Sequence, residues 1–182
     1  MLGQSKLTLL RINFAKKVSG CVLDCASGTG AYHRFFNTED IVSLDLTFSQ
    51  LKNLKGKRVC ADATCLPFRE NVFDVLWAFA FIQCIKSDLL EYIQDWYRVV
   101  KPRGKIYILT PNRESPVNVL LRFFHLKNWA SYEGTRRLYS AKELSRYGKV
   151  YGEIWFLPML CRLLACYPKL GHTLIVEIEV KK

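Results

Sequence analysis

The chain has 182 residues, half of them hydrophobic, which suits one domain with a sizeable core and excludes a disordered or low-complexity protein. Lys and Arg outnumber Asp and Glu by 27 to 16, a net charge of +11 that favours an anionic partner and says nothing of the fold. The charge is segmental: residues 21–97 carry seven basic and ten acidic side chains, residues 98–149 twelve basic and three acidic.

Short β-rich apolar runs alternate with amphipathic stretches, the pattern of an α/β sheet with crossover helices. Val22 to Ala26 reads as a buried strand ending in Ser27-Gly28-Thr29-Gly30, and Ala31 to Phe36 as the start of a helix. Asp40 to Leu46 predicts a second strand, Phe48 to Leu54 a short helix, and Arg58 to Ala61 a third strand. Phe73 to Phe79 predicts a fourth strand, and Asp88 to Val100 a helix with Leu89, Ile93, Trp96 and Val100 on one face. Pro102-Arg103-Gly104 then turns the chain into a fifth strand, Lys105 to Thr110. Beyond Thr110-Pro111-Asn112, Val117 to Trp129 and Ala141 to Tyr147 read as helices. Val150 to Phe156 and Thr173 to Val180 read as the last strands, with Leu160 to Ala165 helical between them. Leu174, Val176, Ile178 and Val180 alternate with Glu177 and Glu179, which suits an antiparallel strand.

The opening residues lack the continuous apolar stretch of a secretion signal. The most apolar window, Ile154 to Pro168, is interrupted by Pro158 and Arg162 and is too short to span a bilayer. Seven cysteines with no Cys-x-x-Cys and no paired histidines argue against a zinc site or a disulfide framework. The expectation is a soluble, cytoplasmic protein with reduced thiols and no metal.

The segment Val22-Leu23-Asp24-Cys25-Ala26-Ser27-Gly28-Thr29-Gly30 carries the most chemical information. Small residues at a strand-to-helix turn let backbone approach a ligand, and N–H groups at a helix start favour anions. Asp45 lies 21 residues beyond Asp24, at the end of the second strand, where a carboxylate can accept both hydroxyls of a ribose. Asp62-Ala63 follows the third strand, where a carboxylate can meet an adenine amino group and the next N–H the ring. Each aspartate alone is an ordinary turn or cap residue; three in register with a glycine turn are not explained that way.

These residues, together with Leu66-Pro67-Phe68-x-x-x-x-Phe73-Asp74 and Tyr97 to Gly104, resemble the motif series of class I S-adenosylmethionine-dependent methyltransferases. The motifs run over about residues 20–112. The resemblance implies a doubly wound, Rossmann-like seven-stranded α/β sheet, mostly parallel with a late antiparallel strand. It implies a single domain over 1–182, with a cofactor-binding core at 20–112, a substrate-side insertion at 113–149 and the final strands at 150–182. It also implies S-adenosylmethionine as cofactor. Ala26, Ser27, Gly28 and Gly30 would pass beneath its methionine part and Asp24 would hold its amino group. Asp45, with Leu46 beside it, would take the ribose, and Asp62 and Ala63 the adenine. Ala78 and Phe79 would lie beside the reacting methyl. Ala26 stands where the family has its first glycine, Arg103 replaces a common glycine, and Gln83-Cys84 occupy a place where many relatives carry histidine. A nicotinamide oxidoreductase shares the glycine turn and Asp45, but leaves Asp24, Asp62-Ala63 and Leu66-Pro67-Phe68 unexplained.

No catalytic residue is assigned. His33, His125, Tyr132 and Tyr139 are candidate bases without a motif, and His33 reads as a surface or packing histidine. Trp77-Ala78-Phe79-Ala80-Phe81 lacks the Asn/Asp-Pro-Pro-aromatic motif of enzymes that methylate base amines, and Thr110-Pro111-Asn112 reads as a strand-ending turn. The expected acceptor is a small molecule. RNA is the alternative, because residues 113–149 interleave Arg113, Arg122, Lys127, Arg136, Arg137, Lys142, Arg146 and Lys149 with aromatics. A lipophilic or membrane-associated acceptor and a non-enzymatic cofactor-binding or partner module are the remaining readings.

Overall fold

The computed structural model describes residues 8–124, 134–153 and 167–182. Among the described residues the strands are β1 (Val22–Cys25), β2 (Ile41–Asp45), β3 (Lys57–Cys60), β4 (Phe73–Phe79), β5 (Val100–Pro111), β6 (Lys149–Glu153) and β7 (Thr173–Glu179). They form one sheet in the order β3-β2-β1-β4-β5-β7-β6. β7 runs antiparallel to β5 and β6, and the pairs from β3 through β5 are parallel. The Rossmann-like sheet with a late antiparallel strand expected from the sequence is therefore present.

Helices α1 (Leu9–Ala15), α2 (Phe48–Leu51), α3 (Leu89–Val99), α4 (Pro116–Phe123) and α5 (Ala141–Leu144) accompany the sheet. β1 is buried along its whole length, as a central parallel strand must be, whereas β3 is an edge strand whose Lys57 and Arg58 face solvent. One core packs Leu23, Leu44, Leu76, Ile93, Trp96 and Ile106 beneath α3. The other gathers Phe14, Val18, Tyr32, Phe36, Trp77 and Tyr107 on the opposite face. Trp77 is fully buried there, stacked on Phe79 at 3.6 Å between centroids and met by Tyr32, Phe36 and Tyr107 at 5.2–5.7 Å. Trp77→Ala is expected to cost about 3–5 kcal/mol, read as a lower urea midpoint.

Three local features differ from expectation. The helix predicted over Ala31 to Phe36 is a single 3-10 turn, His33–Phe35, whose bonds run from Phe35 to Tyr32 and from Phe36 to His33. Tyr32 and Phe36 must both reach Trp77, and these aromatic residues with Asn37 behind them have little helix propensity. Second, α1 has no counterpart in the predicted elements. Thr8 caps it, and its buried face carries Arg11, whose guanidinium meets Glu153 at 2.6 Å with both side chains fully buried. Third, β5 starts at Val100, directly from α3, instead of at Lys105. Its first residues bulge, with Arg103 at φ +63° donating its N–H to Val180, and a Cβ at Gly104 would lie 2.8 Å from the Asp74 carbonyl.

The capping box of Asp88 and Glu91 sets the start of α3, and Ser140 with Glu143 does the same for α5. The predicted helix Leu160 to Ala165 lies outside the described residues, as do the end of Val117 to Trp129, the end of Val150 to Phe156, His125 and Tyr132. No helix among the described residues is long and apolar enough to cross a membrane.

Candidate active site

The parallel strands β1, β2 and β3 end side by side, with Asp24 opposite Ser43 and Asp45 opposite Cys60 in the register. This carboxyl edge is where an open α/β sheet forms its ligand crevice. Beyond β1 the chain alternates through left-handed conformations, at Ala26 (φ +55°), Gly28 (φ +51°) and Gly30 (φ +64°). Bonds from Ser27 N–H to Leu44 and from Gly30 N–H to Ser27 hold the loop against β2. A Cβ added at Gly28 would meet no atom within 4 Å, so that residue faces open space. At Gly30 the same atom would lie 2.7 Å from Nδ1 of His33, so glycine there makes room for the histidine ring. The Ser27 hydroxyl is buried with no hydrogen-bond partner.

Ala26 carries the left-handed strain without being glycine. Such a conformation costs a residue with a Cβ about 1–2 kcal/mol, while glycine loses about 0.5–1 kcal/mol of extra entropy. Ala26→Gly is thus expected to be more stable by up to about 1 kcal/mol in a thermal melt.

Asp24 is buried, and its Oδ2 lies 2.7 Å from Nε2 of His33. Burial pushes its carboxyl above the ordinary value; the His33 bond pulls the other way and Asp45 adds to the rise. Of the two readings, surface or packing, His33 takes the second: its ring packs near Phe36 and also partners the first site carboxylate. The signal was the three-residue step from Gly30, visible only once Ala31 to Phe36 is known to fold as a tight 3-10 turn.

Asp45 accepts the N–H of Gly28 on Oδ2 (3.0 Å) and that of Thr47 on Oδ1 (2.9 Å). These bonds fix the carboxylate while each oxygen retains a lone pair for another donor. Asp62 is exposed and uses Oδ1 to take the N–H and hydroxyl of Thr64. Ala63 beside it is buried, its carbonyl accepting Trp96 Nε1–H at 2.9 Å. Leu46 and Phe48 are 71% and 68% exposed, two large apolar side chains beside Asp45. Phe48 was not singled out in the sequence. α3 anchors the Leu66-Pro67-Phe68 segment: Asp95 accepts the Leu66 N–H, and Arg98 donates to the carbonyls of Leu66 and Phe68.

β4 ends next to β1, with Asp24 opposite Trp77. Ala78 and Phe79 are buried on opposite faces of the sheet; the Phe79 ring belongs to the Trp77 cluster, so Phe79 offers the crevice its backbone. Asn112 is a structural residue: its amide donates to the carbonyls of Pro168, Lys169 and Gly171.

The described basic residues of this segment do not gather in one place. β5 begins at the sheet edge opposite the crevice, so Lys101, Arg103 and Lys105 lie there, two of them paired with Asp74 and Glu177. Arg98 is engaged by Asp95, Arg113 by Glu143, and Arg137 by Asp88.

Comparison with known proteins agrees with this geometry. Residues 23–108 match the family described as a methyltransferase domain. The chain is 29% identical over 112 residues to an uncharacterized protein of Methanocaldococcus jannaschii, covering 60% of this chain and 49% of that one. It is 26% identical over 116 residues to the malonyl-(acyl-carrier protein) O-methyltransferase of Pseudescherichia vulneris, covering 60% and 46%. It is 35% identical over 111 residues to the ubiquinone/menaquinone biosynthesis C-methyltransferase of Pseudomonas aeruginosa, covering 52% and 43%. The chain therefore spans about half the length of these relatives, or slightly less. In fold it is similar to a methyltransferase of Thermotoga maritima described as a possible histamine N-methyltransferase, with a TM-score of 0.68, 17% identity, and 95% and 88% of the two chains covered. A second similar structure, a methyltransferase of Archaeoglobus fulgidus, has a TM-score of 0.68 at 16% identity, with 94% and 90% covered.

Over residues 23–108 the chain thus matches a methyltransferase domain, and its fold is that of S-adenosylmethionine-dependent methyltransferases.

Proposed function

We infer that this crevice binds S-adenosylmethionine and that the chain transfers the methyl group to a small-molecule acceptor. The observation that carries the reading is the convergence of Asp24, Asp45 and Asp62 at the ends of β1, β2 and β3, around a turn whose Gly28 faces open space. The unpartnered Ser27 hydroxyl and the unused lone pairs of Asp45 fit a polar ligand lying over that turn. Asp45 takes the ribose hydroxyls and Asp62 the adenine amino group, with the Ala63 backbone against the ring and Leu46 and Phe48 covering it. Asp24, held by His33, takes the amino group of the methionine part above Ala26 to Gly30. Ala78 and Phe79 border the methyl group.

When bound, S-adenosylmethionine supplies a sulfonium methyl carbon for in-line displacement by an acceptor lone pair, the sulfur keeping the electrons of the broken bond. The protein's part is alignment of donor and acceptor, and exclusion of water. Methyltransferases among the relatives, named for malonyl-(acyl-carrier protein) and for ubiquinone and menaquinone biosynthesis, support a non-nucleic-acid acceptor. So does the scatter of basic residues, several of them paired or on the far edge of the sheet.

The test supplies the full chain with methyl-labelled S-adenosylmethionine and, separately, a low-mass metabolite fraction and total RNA. Label entering the metabolite fraction is expected. Label confined to RNA would overturn the acceptor class, and cofactor binding without transfer to either would favour a non-enzymatic module.

A further inference from the structure

Just past β4, Ala80 takes a left-handed conformation (φ +61°) and donates its N–H to the Leu109 carbonyl of β5. The 3-10 turn Ile82–Cys84 that follows is thereby fixed over the carboxyl ends of the two strands, beside the β1 turn. Gln83 in this turn is 2% exposed, yet its side-chain oxygen is buried and has no hydrogen-bond partner. An unpaired buried amide oxygen costs about 1–3 kcal/mol, and a water, an ion or a group at a working site is what usually accounts for one in a native protein.

A second segment closes on the same turn. The backbone N–H groups of Arg136 and Arg137 both donate to the Gln83 carbonyl, at 2.7 and 3.1 Å. This brings Thr135 to the turn, and its hydroxyl is also buried without a partner. The two arginines then diverge. Arg137 is spent: it meets Asp88 at 2.5 Å and lies over the Tyr139 ring at 5.1 Å. Arg136 is exposed and makes no ion pair with a described residue. Its backbone N–H on the Gln83 carbonyl holds the residue at the turn, and its charge opposes the rise that burial imposes on the Cys84 thiol.

Two buried oxygens without hydrogen-bond partners, and an arginine without an ion pair among the described residues, thus meet at one turn and suit a polar, anionic ligand. It offers hydroxyl or amino hydrogens to Gln83 and Thr135 and an anionic group to Arg136. We propose that the Gln83 turn and the Arg136 segment form the acceptor subsite, and that the acceptor is a small molecule with a carboxylate or phosphate near a hydroxyl or amino group. This rests on the methyltransferase reading of the neighbouring crevice. Neither residue was assigned a role by motif: Gln83 stands where relatives carry histidine, and Arg136 was one of eight basic residues in the insertion.

The test uses the full chain saturated with S-adenosylhomocysteine and two probes, glycerol 3-phosphate and 3-hydroxybutyrate, followed by the NMR signal of the Gln83 side-chain amide. A saturable shift is expected with at least one probe; which probe acts identifies the anion. Arg136→Gln weakens that response about ten-fold. Gln83→Leu abolishes the probe's protection in a thermal melt, without loss of stability in the unliganded chain, because the unpaired amide is gone. Both variants keep S-adenosylhomocysteine affinity within about two-fold, since they touch none of the crevice carboxylates. The proposal is overturned if neither probe reaches Gln83 while S-adenosylhomocysteine binds, or if Arg136→Gln leaves the response unchanged. Failure of S-adenosylhomocysteine itself to bind would instead overturn the crevice reading on which the proposal stands.

Discussion

Asp45→Ala is expected to weaken S-adenosylmethionine binding by at least about 100-fold in calorimetry, because two charge-assisted hydrogen bonds of about 1.5–3 kcal/mol each are lost. The same carboxylate also accepts the N–H groups of Gly28 and Thr47, so the alanine variant loosens the β1 turn as well. Asp45→Asn separates the two effects. The amide oxygen still accepts from one of these N–H groups, but its NH2 cannot accept from a ribose hydroxyl. The asparagine variant therefore keeps most of the thermal stability and loses most of the affinity. Normal affinity in both variants would remove the ribose from this position.

Asp24→Asn has a different signature, since this carboxylate is maintained against the interest of the fold. Burial raises its pKa above the ordinary Asp value, and the native state therefore holds the proton to a higher pH than the unfolded chain does. Its contribution to stability consequently falls as pH rises through that window, which starts near the unfolded pKa of about 3.9, and the penalty persists at neutral pH. Asparagine removes the penalty and can still hydrogen-bond to His33. The variant is expected to melt no lower than the parent at neutral pH and to lose part of the decline above about pH 4. Its cofactor affinity should fall by about 10- to 150-fold, the loss of one charge-assisted bond to an ammonium group. A lower melting temperature together with unchanged affinity would make Asp24 a structural residue.

Much of this site was legible because the elements that build it announce themselves locally. β4 was bounded at Phe73 and Phe79 by its apolar run, and α3 by the cap at Asp88 and the buried Leu89, Ile93 and Trp96. The three aspartates came to one edge because parallel strands joined by short crossovers must end at the same edge. What stayed hidden depends on contacts far apart in the chain. α1 buries an arginine where a helical pattern wants an apolar residue, and its partner Glu153 lies 142 residues away. The His33 contact depended on a helix that is not there, replaced by a tight turn that folds the ring back onto Asp24. The basic run from Arg98 looked continuous with the insertion, yet β5 carries the chain across the whole sheet, leaving Lys101 to Lys105 at the edge away from the crevice. The unpaired side-chain oxygen of Gln83 has no sequence signature, since the residue's setting includes backbone bonds from Arg136 and Arg137, more than fifty residues further along the chain.

A crystal structure of the full chain with S-adenosylhomocysteine bound tests the central claim most directly. The predicted result is ribose hydroxyls on both oxygens of Asp45, the adenine amino group on Asp62 and the amino acid end over Gly28 against Asp24. A nucleoside bound elsewhere, or the β1 turn left open with the ligand absent at saturating concentration, would contradict it.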